Sequence, residues 1–458
     1  MTFDARAYSV NRVAVLGAGT MGAQIAAQVA AKGIPCDLLD MRSDGDRPNG
    51  MAEEAKVRLS NARPTALESP ADLDLIHPGN FTDHLDRVAR ADWVIEAIVE
   101  RPEPKARLWS SVGEHIGDNA IASSNTSGIP IAKIAEALPE RVRSRFLGTH
   151  FFNPPKYVRL LELIPTAATD PDVFEAIAEF ASDRLGKGVV RANDVTGFIT
   201  NRIGMYYFLS VLHAAKELGL SVDEVDAITG PAMGRPGSAT YRTLDLVGLD
   251  IFVDICDNTR AALQQSAAVR AEADAFLAPT QVREMIGRGW LGNKSGQGFY
   301  KMVKADGESA ILSLQAGTLE YQPRQRVTWP LLQELLDIED AGARIRRLVS
   351  SGGQTEALAW KVLSRLMVYS AWKLGEVADD VISIDRAMRW GFNWALGPFE
   401  TWDALGVAYA ADRMAQDGLA LPHWVVRLAS SGDGFYKKEV DGAVLQVDAG
   451  LRYTTFDP

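Results

Sequence analysis

The fold class that the sequence predicts is α/β, a doubly wound parallel sheet in the N-terminal domain, followed by all-α C-terminal domains in tandem. Three observations carry that expectation. Short apolar runs alternate with helical stretches in the first part of the chain, the pattern of parallel strands joined by crossover helices. Near Asp194 the alternation stops, and later segments read as helix, with strand-like signals confined to short pieces such as Gly298-Phe299-Tyr300. The helical part then runs through one ordered set of residues twice.

Taken in order, residues 12–16 form a strand-like run followed by glycines and by MGAQIAAQVAAKG, an alanine-rich helix ending at Gly33. A second strand, 36–39, ends at Asp40, and further runs lie at 93–99, 120–123 and 146–150. In the helical part, Val225-Asp226-Ala227-Ile228 precedes a glycine-rich stretch and Leu244-Asp245-Leu246-Val247-Gly248. Ile384-Asp385-Arg386-Ala387-Met388 precedes another and then Trp402-Asp403-Ala404-Leu405-Gly406. A Gly-x-Gly-Phe-Tyr follows each copy, at 296–300 and 432–436. The expected domains are therefore 1–193, 194–315 and 316–458. Seven of the ten tryptophans lie beyond residue 320, which marks packing surface rather than chemistry.

A chain of 458 residues can build several cores. Its net charge of -11 repels nucleic acid and anionic membrane surfaces, so an anionic ligand needs a local basic patch. Two cysteines, Cys36 and Cys256, supply no disulfide framework and no thiolate metal cluster, and no metal is expected. The first residues, MTFDARAYSV, are too polar for a signal peptide, and no run approaches the roughly 18 apolar residues of a membrane helix. The expectation is a cytoplasmic protein without stable membrane insertion.

Gly17-Ala18-Gly19-Thr20-Met21-Gly22 matches G-x-G-x-x-G between a strand and a helix, with an acid closing the next strand. In a Rossmann-type dinucleotide site Gly17 permits the turn, Gly19 admits the pyrophosphate, and Gly22 lets helix and strand pack closely. Met21 lies in the helix N-terminus that faces the phosphates. Asp40 is placed for the ribose hydroxyls and would repel the extra phosphate of NADP, so the cofactor is NAD. Arg42 is the competing signal, and flavin binding and a purely structural glycine turn are the other readings.

Oxidising an alcohol needs a base and a group that stabilises the base once it is charged. His150 ends a strand at the carboxyl edge of the sheet, and Glu162 sits inside the apolar run Leu160-Leu161-Glu162-Leu163-Ile164. A carboxylate there is costly to bury alone, and a His150–Glu162 pair would satisfy it. Separately, His150 could be a structural histidine and Glu162 a strand-edge charge.

Ser124-Asn125-Thr126-Ser127, His150-Phe151-Phe152-Asn153-Pro154 and Asp194 to Arg202 together resemble the signature segments of the L-3-hydroxyacyl-CoA dehydrogenase family. The likeness covers essentially the whole chain and lies nearest to the dehydrogenase portion of multifunctional fatty-acid β-oxidation proteins. It implies oxidation of (3S)-3-hydroxyacyl-CoA with NAD, His150 as general base and Glu162 as its partner. It also implies that Ser127 and Asn201 contact substrate and that Ser127, Glu100, Lys105, Asn153 and Lys294 contact the cofactor. Without the resemblance Ser127 could be a helix cap, Asn201 a polar helix residue, and Glu100 with Lys105 a solvated loop pair. Lys56 and Arg58, with Arg63 nearby, are the candidate basic patch for the acyl-CoA phosphates.

Two departures stand out. The family's Gly-Pro-Phe-Glu occurs only in the second copy, as Gly397-Pro398-Phe399-Glu400, while the first has Gly234-Arg235-Pro236-Gly237-Ser238-Ala239. Nothing resembles an enoyl-CoA hydratase domain, so such a domain would be a separate partner or a missing fusion. Single-copy relatives form two-fold dimers, which implies that the second copy here replaces the partner and permits a monomer. The rival functions are a dehydrogenase of free 3-hydroxy acids, whose members use a lysine base, and a non-catalytic NAD-binding protein.

Overall fold

A computed structural model describes residues 8–265, 270–305, 308–315, 317–439 and 443–456. Residues 1–7, read above as part of no leader, and residue 316, where the last expected domain begins, lie outside the described residues. The chain divides into two compact units, residues 1–198 and 199–458. The stretch after the expected boundary at 193 stays with the first unit for a visible reason. Asp194 accepts hydrogen bonds from the N–H groups of Ile131 (2.6 Å) and Ala132 (2.7 Å), at the start of helix α4 (Ile131–Ala135). Both helical copies lie in the second unit.

The first unit is one sheet of eight strands: β1 (Val13–Leu16), β2 (Cys36–Asp40), β3 (Ile76–Asn80), β4 (Trp93–Glu96), β5 (Ile121–Ser124), β6 (Phe146–Phe151), β7 (Leu160–Pro165) and β8 (Gly188–Arg191). Their spatial order is β3-β2-β1-β4-β5-β6-β7-β8, and every neighbouring pair is parallel except β6 and β7. Only a short loop joins those two, too short for the crossover that parallel pairing needs. Strand β3 was not anticipated, because Pro78 and Gly79 break its apolar run. Proline is tolerated there because β3 is an edge strand. Gly79 is required, since a Cβ would come within 2.6 Å of Leu39 Cδ2.

Helices α1 (Thr20–Ala30), α2 (Gly50–Asn61), α3 (Pro102–Val112), α4, α5 (Glu140–Arg143) and α6 (Pro171–Asp183) join the strands. One core gathers apolar residues of α1, α2 and α6, with the Trp93 ring edge-on to Phe180 at 5.9 Å. A second pairs Trp109 of α3 edge-on with Phe146 at 5.1 Å.

In the second unit the first copy comprises α7 (Thr200–Leu218), α8 (Val222–Thr229), α9 (Tyr241–Val247), α10 (Leu249–Gln265) and α11 (Thr280–Gly287). Helices α12 (Pro330–Leu336) and α13 (Ala341–Leu348) lead to the second copy: α14 (Gly353–Lys373), α15 (Val381–Phe392), α16 (Pro398–Leu405), α17 (Val407–Gln416) and α18 (His423–Ser431). The C-terminal region is helical as expected, with one addition. Each copy ends in a three-stranded antiparallel sheet, β9 (Tyr300–Ala305), β10 (Glu308–Leu314) and β11 (Tyr321–Pro323) in the first, and β12 (Tyr436–Lys438), β13 (Val444–Val447) and β14 (Tyr453–Thr455) in the second. These strands are short and carry charged residues, so their alternation is weak in the sequence.

The repeat holds atom by atom. Asp226 accepts from Tyr241 N at 2.7 Å and from the Tyr300 hydroxyl at 2.8 Å. Asp385, at the same position of α15, accepts from Phe399 N at 2.9 Å, Glu400 N at 2.8 Å and the Tyr436 hydroxyl at 2.7 Å. Asp245 takes Phe299 N and Tyr300 N, both at 2.8 Å, as Asp403 takes Phe435 N at 2.8 Å and Tyr436 N at 2.9 Å. Burial pushes Asp226 up to about 7, Asp245 and Asp403 to about 6, and Asp385 well above the carboxylate range. Between the copies α7 packs on α14, with Tyr206 stacked on Tyr369 at 3.8 Å, and the Arg235 guanidinium lies 3.5 Å over the Trp394 ring. No helix of the described residues is long and apolar enough to cross a membrane.

Candidate active site

The turn from β1 to α1 is built by three glycines with different tasks. Gly17 has φ +109, and a Cβ there would stand 2.6 Å from Ala97 O. A Cβ at Gly22 would be 1.9 Å from Gly17 O, so α1 packs directly on the loop. At Gly19 a Cβ would meet nothing within 4 Å, so the space above the loop is open where a phosphate needs backbone access. The first-turn N–H groups of Thr20, Met21 and Gly22 face that space by helix geometry.

Asp40, 8% exposed, accepts from Ala18 N at 2.5 Å and from Met41 N at 2.6 Å, tying the strand end to the glycine loop. Its carboxylate borders a cavity of about 570 Å³ whose apolar walls include Met41, Phe81, Ile98, Val99 and Leu108. Open backbone, a ribose-height carboxylate and an apolar slot fit the adenosine and pyrophosphate of a dinucleotide. Arg42, the competing signal for a 2′-phosphate, is paired with Asp83 at 3.1 Å.

The residues expected to make a CoA patch are directed apart. The Lys56 ammonium donates to Ile76 O at 2.8 Å, while Arg58 donates to Ala18 O at 2.7 Å and lines the dinucleotide cavity. Two positions apart on α2, the side chains leave on different faces of the helix, so they cannot act as one patch. Arg63 lies beyond the C-terminus of α2 and donates to the adjacent Ala62 O.

Beside the loop is a buried charge network that sequence reasoning only half found. Lys105, 1% exposed, lies between Glu96 (2.6 Å) and Glu100 (3.3 Å). It is not the solvated loop cation that its neighbours suggest. Glu100 accepts from the Thr126 hydroxyl at 2.6 Å and from Ser127 N at 2.7 Å, which holds the Ser127 loop. Glu96 was missed, although a carboxylate inside the apolar run 93–99 is the same signal that singled out Glu162. It accepts from Lys105, from Ile98 N at 2.8 Å and from the Ser124 hydroxyl at 2.6 Å.

His150 and Glu162 are direct partners in the antiparallel register of β6 and β7, and Nδ1 lies 2.7 Å from Glu162 Oε2. Both are buried, Glu162 completely. The Phe152 and Phe198 rings lie 4.2 and 5.6 Å from the imidazole. Asn125 Oδ1, another missed group, accepts from Phe151 N at 2.8 Å and fixes the strand after the histidine. Asn153 accepts from the Gln24 amide of α1 at 3.1 Å, which places it beside the phosphate-facing helix. A carboxylate on Nδ1 keeps Nε2 as the proton-accepting nitrogen and stabilises the imidazolium.

Two expected site residues lie in the second unit. Asn201 is buried as the second residue of α7, and Lys294 pairs with Asp250 at 2.5 Å.

Family models match most of this architecture. The 3-hydroxyacyl-CoA dehydrogenase NAD-binding domain matches residues 12–195, and the 3-hydroxyacyl-CoA dehydrogenase C-terminal domain matches 197–302. A probable 3-hydroxyacyl-CoA dehydrogenase of Deinococcus radiodurans is 42% identical over 70% of this chain and 91% of its own length. A protein of the same description from Bacillus subtilis is 39% identical over 96% of this chain, which spans only 57% of that relative's length. The crystal structure of 3-hydroxybutyryl-CoA dehydrogenase from Escherichia coli K12 has the same fold, with a TM-score of 0.67 and 23% identity over 93% of this chain and 99% of that one.

Proposed function

The chain belongs to the 3-hydroxyacyl-CoA dehydrogenase family, and from that premise we propose that it oxidises (3S)-3-hydroxyacyl-CoA to 3-ketoacyl-CoA with NAD. The observation that carries the proposal is the buried His150–Glu162 pair at 2.7 Å on the sheet that also carries the glycine loop. When bound, NAD supplies the hydride acceptor. His150 Nε2 takes the proton of the 3-hydroxyl, and Glu162 balances the charge that the ring acquires. Glu100, held by Lys105, fixes the backbone of Ser127 so that its hydroxyl can orient the substrate oxygen. Holding the alcohol and base in register supplies much of the acceleration. Asn201 is assigned to the substrate and Lys294 to the cofactor by family likeness.

The second helical copy is proposed to cover the face of α7 that a partner subunit would otherwise cover, so one active site per monomer suffices. The extra length of the Bacillus relative leaves room for an enoyl-CoA hydratase activity that this chain would meet in a partner or a fused domain.

The test is NADH oxidation with 3-ketoacyl-CoA esters of increasing chain length, and with free 3-keto acids as the comparison. Turnover of the thioesters alone supports the assignment, and turnover of the free acids alone overturns it. In His150→Gln, kcat should fall by roughly 10²–10⁴-fold while NADH affinity holds. A near-normal kcat in a folded variant would place the base elsewhere.

A further inference from the structure

The two helical copies share their aspartate clamps but differ in what stands beside them. In the second copy Arg386 follows Asp385 on α15, and its guanidinium lies 5.1 Å from the Trp390 ring centre and 5.7 Å from that of Phe456. Together these three side chains plug the space next to the clamp. The matching residues of the first copy follow from the same landmarks. Ala227 follows Asp226, and Pro231 has the offset from Asp226 that Trp390 has from Asp385, although α8 ends at Thr229 whereas α15 runs on to Phe392. Arg324 is three residues after Tyr321, whose hydroxyl donates to Gly298 O as that of Tyr453, three residues before Phe456, donates to Gly434 O. Two large side chains have become alanine and proline, and an aromatic ring has become a cation.

Beside the first clamp, with Ala227, Pro231 and Arg324 in its lining, is a cavity of about 610 Å³, within the range of small-molecule sites. Arg242, Arg324 and Arg326 share its wall with Asp223 and Asp226. Asp226 is engaged inward through both oxygens, and Asp223 through Oδ2, while Asp223 Oδ1 is buried without a hydrogen-bond donor and faces Arg324 at 3.7 Å. Asp226 accepts the Tyr300 hydroxyl and the N–H groups of Thr240, Tyr241 and Arg242. Asp223 accepts the Ser313 hydroxyl and Gln325 N, both at 2.8 Å. The cations are less committed. Arg324 reaches Asp223 only at 3.7 Å, Arg242 donates to the Asn293 side chain at 2.9 Å, and Arg326 makes no ion pair among the described residues. In a chain of net charge -11, this wall carries more cations than anions, and guanidinium forks match phosphate and carboxylate oxygens.

We propose that this cavity binds a small organic anion through Arg242, Arg324 and Arg326, with its carbon skeleton on Ala227 and Pro231. The site lies wholly in the second unit and does not depend on the dehydrogenase assignment. It lies beside the first clamp, as the plug of the duplicated copy lies beside the second.

Inorganic phosphate and succinate serve as probes for the two oxygen chemistries, titrated calorimetrically and in thermal melts against chloride at equal ionic strength. Saturable binding of either is expected, with a melting-temperature rise of roughly 5 °C at about a hundred times Kd. Ala227→Arg with Pro231→Trp, which copies the plug into the first copy, should raise Kd at least about tenfold. Arg324→Glu with Arg326→Glu should do the same. Both latter side chains are exposed, so that variant serves if the plugged one does not fold. The proposal is overturned if neither probe binds beyond the chloride control, or if a folded variant binds as the parent does.

Discussion

The two helical copies meet along α7 and α14, and they treat charge at that seam in opposite ways. Arg202 and Lys361 lie equally far before their clamp aspartates, Asp226 and Asp385, and Glu217 and Glu376 are likewise matched. The repeat therefore produces two ion pairs across the seam, Arg202–Glu376 and Lys361–Glu217. The Arg202 side chain is 2% exposed and also bonds Glu272 at 3.0 Å and the Tyr369 hydroxyl at 2.8 Å. Lys361 is 27% exposed and its partner 58%. A symmetric dimer would make both bridges alike. Joining the copies in one chain lets one bridge be buried in a network and leaves the other to water, where an ion pair contributes little.

The most drastic way to break this comparison is to remove one side of it. A chain ending after residue 325 should expose the α7 face and give a dimer or an aggregate by light scattering; a stable monomer would show that the second copy covers nothing essential. Next come the two bridges themselves. Arg202→Ala should cost about 2–3 kcal/mol in urea unfolding, since it removes charged hydrogen bonds and leaves Glu272 and Glu376 with Lys373 as their cation, while Lys361→Ala should cost less than about 1 kcal/mol. Equal losses would mean that burial at the seam does not set the energy.

A smaller effect sharpens the likeness of the copies. Tyr300→Phe and Tyr436→Phe each remove one hydrogen bond to a clamp aspartate, so each should cost about 1 kcal/mol, and similarly in both copies. The smallest is a pH slope. The clamp aspartates have raised folded-state values, about 7 for Asp226 and about 6 for Asp245 and Asp403. A carboxyl group raised on folding holds its proton longer in the native state. Its stabilising contribution is present at low pH and is lost as pH rises through the folded value. The urea midpoint of the helical unit, followed by tryptophan fluorescence, should therefore fall between about pH 4, the unfolded value, and about pH 7, the highest folded one. An unchanged or rising midpoint would mean that the clamp hydrogen bonds outweigh the burial.

These contrasts also show what the residues alone disclose. The glycine loop was legible because Gly17 and Gly22 each answer a steric demand that no other residue meets while Gly19 leaves the space above the loop open, and Asp40 because it ends a strand in a fixed place. The His150–Glu162 pair was legible from the cost of a carboxylate in an apolar run. The same rule applied to Glu96 would have found the second buried network, and Lys105 would then have read as its counter-ion. Lys56 and Arg58 were grouped by closeness in sequence, which is not closeness on a helix, and they donate to different backbone oxygens. Strand β3 was hidden because an edge strand tolerates the proline and glycine that normally end one. The terminal sheets of the helical copies were hard to read because their strands are short and their first residues are anchored by the distant side chains of Asp245 and Asp403. The cavity beside Asp226 was hidden because its lining gathers residues from 223 to 327 that share no local pattern.

The seam also orders events in time. Helix α7 ends at Leu218 and its cover, α14, begins at Gly353, so more than a quarter of the chain is synthesised between them. At roughly 5–20 residues per second, the face of α7 and the Arg202 side chain spend on the order of ten seconds or more on the ribosome without the helix that buries them. The first unit and the first clamp can form from what has already emerged, because their contacts close within their own stretch of chain. The seam cannot, since a contact between distant segments waits for the later one and must close a long loop to form. A nascent chain of this protein therefore leaves the face of α7 uncovered at mid-synthesis until the second copy arrives.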